Sequence, residues 1–162
     1  MSAWQFARAL YLADVNGWVR FIAMQNHYNL VYREEEREML PLCRSEKIGV
    51  IPWSPLARGF LVGNRQRETK GETQRARTDT IAHDLYRTEE DFSIVARVQE
   101  VASKMMITPA QVGLAWLLRQ PGVTAPIIGA SKMKHLEEAV ASLSIELDDQ
   151  DCAYLEESYV PH

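Results

Sequence analysis

Three short apolar segments, 19–25, 48–53 and 124–129, are separated by stretches of helical periodicity. This alternation constrains the fold more than any other feature. Strands divided by helices pair in parallel through right-handed crossovers, because a twisted strand feeding a right-handed helix packs back onto its sheet only that way. The helical patterns fall at 3–13, 34–46, 89–105, 109–119, 132–142 and from Asp148 to about Ser158. In the first, Trp4, Ala7, Leu10 and Tyr11 share a side; in the second, Met39, Leu40 and Cys43 point inward. Val95, Val98, Val101 or Ala102, and Met105 form the stripe of the third.

Helix starts are written clearly. Thr88 with Asp91 suits a cap, and Thr108-Pro109-Ala110-Gln111 combines an N-cap, a first-position proline and a capping box. Helix 109–119 is apolar nearly all round and is predicted to be deeply buried. Ser131 is predicted to cap 132–142, and Asp148 the last helix. With 162 residues, a single domain over 1–162 is expected. The predicted order is helix, strand, helix, strand, long loop, two helices, strand, two helices. The helices suffice for one face of the small α/β sheet, but its other face and both edges lack an obvious partner. A complete (β/α)8 barrel takes about 250 residues, so the chain reads as part of one.

Composition excludes several classes. The net charge of −4 argues against a nucleic-acid partner. No apolar run approaches the ~20 residues of a membrane helix, and Met-Ser-Ala-Trp-Gln lacks a signal-peptide pattern. Cys43 and Cys152 form no CxxC and fit two thiols in a reducing, cytoplasmic setting. His27, His83, His135 and His162 show no metal-ligand spacing, so no metal is expected.

The segment 48–59, Ile-Gly-Val-Ile-Pro-Trp-Ser-Pro-Leu-Ala-Arg-Gly, carries the functional reading. Pro52 and Pro55 hold their own φ and push their predecessors toward extended geometry. Trp53 and Ser54 therefore sit on a stiff loop at the carboxyl end of a strand, where α/β proteins bind ligands. From the residues alone, a buried tryptophan above an ordinary turn fits equally well.

Three landmarks in register make the chain resemble the C-terminal portion of an aldo-keto reductase, nearest in wording to bacterial members similar to potassium-channel β subunits. They are Gln25 in Met-Gln-Asn-His-Tyr-Asn-Leu, the Ile-Pro-Trp-Ser-Pro-Leu-Ala-Arg-Gly stretch, and Pro-Ile-Ile-Gly-Ala-Ser at 126–131. The resemblance covers essentially the whole chain. It implies the C-terminal portion of a (β/α)8 TIM barrel, about three parallel strands with flanking helices, and an NADP-dependent oxidoreductase acting on an aldehyde or ketone.

The resemblance also implies roles. Gln25 would meet the nicotinamide carboxamide, an amide matching an amide, and Trp53 would stack on the nicotinamide ring. Ser54, Pro55, Leu56, Ala57, Arg58 and Gly59 would wrap the pyrophosphate. Gly129, Ser131, Lys132, His135 and Glu138 would hold the adenosine end, with Lys132 and Lys134 favouring a 2′-phosphate. His135 and Ala139 stand where Gln and Asn are common in the family. The polar segment 64–84 would fold over the cofactor, with Arg75 on a phosphate, or is a solvated loop.

The family's Asp, Tyr, Lys and His lie in its first half, and no match for their motifs occurs in this chain. No catalytic residue is assigned, and Tyr28, Tyr32, Tyr86, Tyr154 and Tyr159 lack the right context. The chain is accordingly expected to be truncated and inactive alone. The alternative is a non-catalytic nucleotide-binding module, or one that self-associates through exposed strand edges.

Overall fold

The computed structural model describes residues 1–63, 85, 86 and 88–161. Its centre is a parallel pairing of β1 (Ala23–Met24) with β2 (Gly49–Val50), in the register Ala23 to Gly49 and Met24 to Val50. Backbone bonds prolong it to Trp53, whose N–H donates to Asn26 O at 2.8 Å. A third segment runs along the other edge of β2. Val123 bridges Val50 in parallel, and Thr124 N–H donates to Val50 O at 2.8 Å.

The predicted strand 124–129 does not become a regular ladder, and two prolines explain why. Pro52 and Pro126 have no N–H to donate. The next bond therefore comes from Ile127 N–H to Pro52 O at 2.8 Å, one residue late. Close approach also matters: a Cβ on Gly49 would lie 2.9 Å from Thr124 Oγ1. The segment 19–25, whose apolar run reads as a buried strand, is a strand only at Ala23–Met24. It pairs only at its end, and Val19 is 95% and Ile22 83% exposed. One face of the pairing is covered, with Asn26, Val50 and Pro52 buried, whereas Ala23 and Gln25 on the other face are exposed.

Helices supply the covered side. The first, α1 (Ala3–Asn16), buries Phe6, Leu10 and Ala13. Trp4 and Tyr11, expected beside Leu10, are 62% and 64% exposed, because the packed stripe runs through Phe6, Leu10 and Ala13 and turns both rings away from it. The predicted helix 34–46 is a short 3-10 turn, Glu34–Glu36, followed by α2 (Met39–Ser45). Pro41 accounts for the break: a continuous helix would set its ring against the carbonyl of Arg37. Met39, Leu40 and Cys43 are buried as the pattern required.

The next helix, α3 (Glu89–Met105), starts at Thr88, whose hydroxyl accepts from Asp91 N–H while Thr88 N–H donates to Asp91 Oδ2. Thr108 and Gln111 form the same reciprocal box at α4 (Pro109–Arg119). Residues Val112 to Leu117 of α4 are all buried, as their composition demanded. The next, α5 (Met133–Ala141), differs from expectation. Its N-cap is Lys132, not Ser131, and no side chain caps it. Last comes α6 (Asp149–Glu156), capped by Asp148 as predicted. Trp116, Tyr28, Phe60 and Leu10 are the largest fully buried side chains. Both cysteines are free thiols. Among the described residues, no single helix is long and apolar enough to cross a membrane.

Candidate functional site

The three parallel segments bring their carboxyl ends side by side. Trp53 N–H bonds to the carbonyl of Asn26, immediately after Gln25, and Ile127 N–H bonds to the carbonyl of Pro52, immediately before Trp53. Gln25, Trp53 and Ile127 thus adjoin at one end of the sheet. Gln25 is exposed and Trp53 half-buried.

An aromatic column stands behind this rim. The His27 ring is stacked between Tyr32 and Trp53, with centroids 4.1 Å from each and planes within 18° and 14°. Its Nε2 lies 2.5 Å from Tyr86 Oη. Tyr86 stacks in turn on Phe60 at 5.7 Å. Burial pushes the Tyr86 phenol pKa up to about 12. Asn29, fully buried, ties the cluster together. Its Nδ2 donates to Ser54 O at 2.9 Å and lies 3.4 Å from Tyr86 Oη, and its Oδ1 accepts from Val31 N–H at 3.0 Å. Nearby, Asn26 Nδ2 donates to Glu35 Oε2 at 3.0 Å, and burial pushes the Glu35 carboxyl above the usual range.

After Trp53 the backbone turns with an unusual density of left-handed residues. Ser54 (φ 51°), Ala57 (49°) and Arg58 (55°) are non-glycine residues in that region, followed by Gly59 at 90°. Each non-glycine instance costs about 1–2 kcal/mol, so the surrounding contacts must hold the turn. Ala57 N–H donates to Ser54 O, and Gly59 N–H to Leu56 O, both at 2.9 Å. Asn29 anchors the start of the turn through Ser54. Asn29→Ala is expected to lower stability by about 1–3 kcal/mol, because it leaves the buried Val31 N–H without its acceptor and removes one of two donors from Ser54 O. Urea unfolding checks this, and a loss below about 0.5 kcal/mol would contradict the anchoring role.

The remaining expected residues are distributed as follows. Ser54, Pro55, Leu56, Ala57, Arg58 and Gly59 all lie on this turn. Gly129, Ser131, Lys132 and His135 are exposed and follow the third segment into the start of α5. Glu138 is half-buried and paired with Lys134 at 3.7 Å. Arg75 lies outside the described residues. Among the described residues, no three His, Cys, Asp or Glu side chains gather as metal ligands.

Sequence reasoning assigned no role to His27, Asn29, Tyr32 or Tyr86. The dense polar and aromatic run Asn-His-Tyr-Asn straight after a strand is the signal that could have drawn attention to the first two. Burial raises the pKa of Tyr28, Tyr32, Tyr86 and Tyr159, and the bond to Glu100 raises that of Tyr154. What the arrangement offers is a half-exposed indole backed by a ring, an exposed amide beside it, and a strained turn next to both.

The model of the Aldo/keto reductase family matches residues 1–160. The versiconal hemiacetal acetate reductase of Aspergillus parasiticus is 43% identical over 164 residues, covering 99% of this chain and 47% of that protein. An aldo-keto reductase of Metarhizium robertsii is 44% identical over 164 residues, covering 99% of this chain and 43% of that protein. The chain spans about half the length of the curated relatives it matches. With that family's model matched over residues 1–160, almost from end to end, the chain belongs to the aldo/keto reductase family.

Proposed function

We propose that residues 1–162 form one domain, the C-terminal portion of a (β/α)8 barrel, which holds the cofactor of an NADP-dependent aldo-keto reductase. The observation that carries this reading is the rim itself: Trp53, half-exposed with one face against His27, beside the exposed amide of Gln25. A flat ring with an attached carboxamide fits an indole and an amide so placed. When bound, the nicotinamide supplies hydride to the carbonyl carbon of an aldehyde or ketone.

This chain's own residues bind and orient. Trp53 covers one face of the ring, and Gln25 exchanges hydrogen bonds with the carboxamide. The turn from Ser54 through Pro55, Leu56 and Ala57 to Arg58 and Gly59 surrounds the pyrophosphate, with its left-handed backbone presenting amides toward anionic oxygens. Arg75 adds a phosphate contact. Gly129, Ser131, Lys132 and His135 hold the adenosine end, and Lys132 and Lys134 favour a 2′-phosphate. Glu138 accepts from the adenine amino group once it exchanges its pairing with Lys134. The proton donor belongs to the part of the family's barrel that this chain does not contain. Cys43 and Cys152 as thiols suit a reducing, cytoplasmic compartment.

The reading is tested by titrating the chain with NADPH while following tryptophan emission. Saturable quenching is expected in the wild type and is lost in Trp53→Phe, and NADPH is expected to bind tighter than NADH by about tenfold, roughly one phosphate contact. A flat titration would sink it. The chain alone is expected to consume no NADPH with a generic aldehyde, and turnover abolished by a tyrosine substitution would overturn that part.

A second reading, a self-associating module, is favoured by two exposed apolar faces. Trp4, Tyr11 and Val15 lie on α1, and Met133, Leu136 and Val140 on α5. Sedimentation separates the two, since a monomer at all concentrations removes the second.

A further inference from the structure

We infer that His27 is a positioning residue that sets the tilt of the Trp53 indole and so the geometry of the surface on which the planar ring rests. The inference deepens the proposed cofactor reading. It begins from three residues whose rings come from different parts of the chain: His27 past the end of β1, Tyr32 in the loop after it, and Trp53 beyond β2. Parallel planes at 4.1 Å on both sides leave the imidazole no room to tip without moving its neighbours.

Rotation within that plane is fixed separately. Nε2 faces the Tyr86 hydroxyl at 2.5 Å and Asn29 Nδ2 at 3.4 Å. The Asn29 amide can only donate from that nitrogen. It donates to Ser54 O at 2.9 Å, and its approach to Tyr86 Oη makes that oxygen an acceptor. The Tyr86 proton is therefore free to point at Nε2, since burial keeps the phenol protonated through the ordinary pH range. This makes Nε2 an acceptor and assigns the ring proton to Nδ1. The imidazole is held in the plane by stacking and about its axis by its contact with the Tyr86 hydroxyl. Trp53, whose N–H donates to Asn26 O, takes its side-chain orientation from the imidazole it lies on.

Tyr86 also rests on Phe60, which belongs to the same turn as Ala57 and Arg58. The column therefore joins the two parts of the proposed cofactor site. A shift at Tyr86 would reach both the indole and the strained turn.

The test uses the full 162-residue chain and two readouts. The first is the near-ultraviolet circular dichroism assigned to Trp53, taken as the wild-type spectrum minus that of Trp53→Phe. His27→Leu, which fills the space without a flat ring, is expected to reduce this signal by at least about half. His27→Phe, which keeps a ring in the stack, is expected to restore most of it. Tyr86→Phe is expected to fall between them, because it keeps stacking and removes the hydrogen bond. The second readout is NADPH affinity by quenching. His27→Leu is expected to weaken it about threefold to tenfold, with His27→Phe within about twofold of wild type. Urea unfolding of each variant shows that the folded state is the one measured. An unchanged Trp53 dichroism in His27→Leu would overturn the inference. So would a His27→Phe variant no better than His27→Leu. A wild-type chain that fails to respond to NADPH would remove the cofactor reading instead, and the dichroism would still decide the role of His27.

Discussion

Trp116→Ala is expected to lower the unfolding free energy by about 3–5 kcal/mol, the cost of emptying a large, fully packed aromatic site. Trp116 is fully buried in α4, its ring tilted against Tyr28 at 5.6 Å. Its indole N–H donates to Glu156 Oε1 at 2.8 Å, which ties α4 to α6. A domain of this size has about 5–15 kcal/mol of stability in all, so the variant loses a large share of its margin. Trp116→Phe separates the two contributions. It keeps most of the volume, drops the bond to Glu156, and is expected to cost about 1–2 kcal/mol. Urea unfolding measures both. If Trp116→Phe costs as much as Trp116→Ala, the packing argument is wrong.

Arg33→Ala is expected to cost about 3 kcal/mol. Its guanidinium binds Glu36 through two nitrogens, at 2.8 and 2.9 Å, and meets Glu156 at 3.1 Å. It also lies over the rings of Trp116 and Tyr159, 5.5 and 5.2 Å from their centroids. The side chain is only 13% exposed. Removing one member of a desolvated charge group leaves the others unpaired, which costs about 3–5 kcal/mol when burial is complete. Glu36 and Glu156 remain about a third exposed, at 33% and 30%, and water moderates the loss. Arg33→Lys is expected to recover less than half, because an ammonium neither forks onto Glu36 nor stacks between two rings. Since Glu156 receives both Arg33 and Trp116, the double variant is expected to fall short of the summed losses by about 0.5 kcal/mol or more. Strict additivity would show that the two residues do not share this carboxylate.

Most of the helical frame was legible in the residues, because its signals are local. Thr88, Thr108 and Asp148 announce their helices within three or four positions, and each cap is present. The inward residues of 34–46 and of 89–105 followed from spacing alone. The failures have identifiable causes. Pro41 cut one helix short, and its effect depends on which carbonyl it would strike. Ser131 has the right chemistry for a cap, yet the chain enters α5 one residue later. Segment 19–25 has a strand's composition, but composition says nothing of whether a second face is covered.

The candidate site was legible only in part. Gln25, Trp53 and the turn after it were named through the resemblance to the aldo-keto reductases; their place at a strand end fits an ordinary polar residue and a buried tryptophan just as well. Their adjacency rests on parallel register, which the alternation of strands and helices implied in direction but not in alignment. The slip of the third segment at Pro126 illustrates the difference. A missing N–H is written in the sequence, but that it falls opposite a second proline is a property of the pairing.

What the sequence determined by itself, then, is the alternation of elements, their caps, the buried character of α4 and the residues that end the strands. All of these depend on neighbours within a turn or two of chain. Only the tertiary structure decided that His27 lies between Tyr32 and Trp53 under the hydroxyl of Tyr86, and that Arg33 joins Glu36 to Glu156. Those arrangements unite residues up to 123 positions apart (156 − 33). Stacking and ion pairing depend on distances of a few ångströms that no local spacing encodes, and they exist only once the helices have closed on the strands.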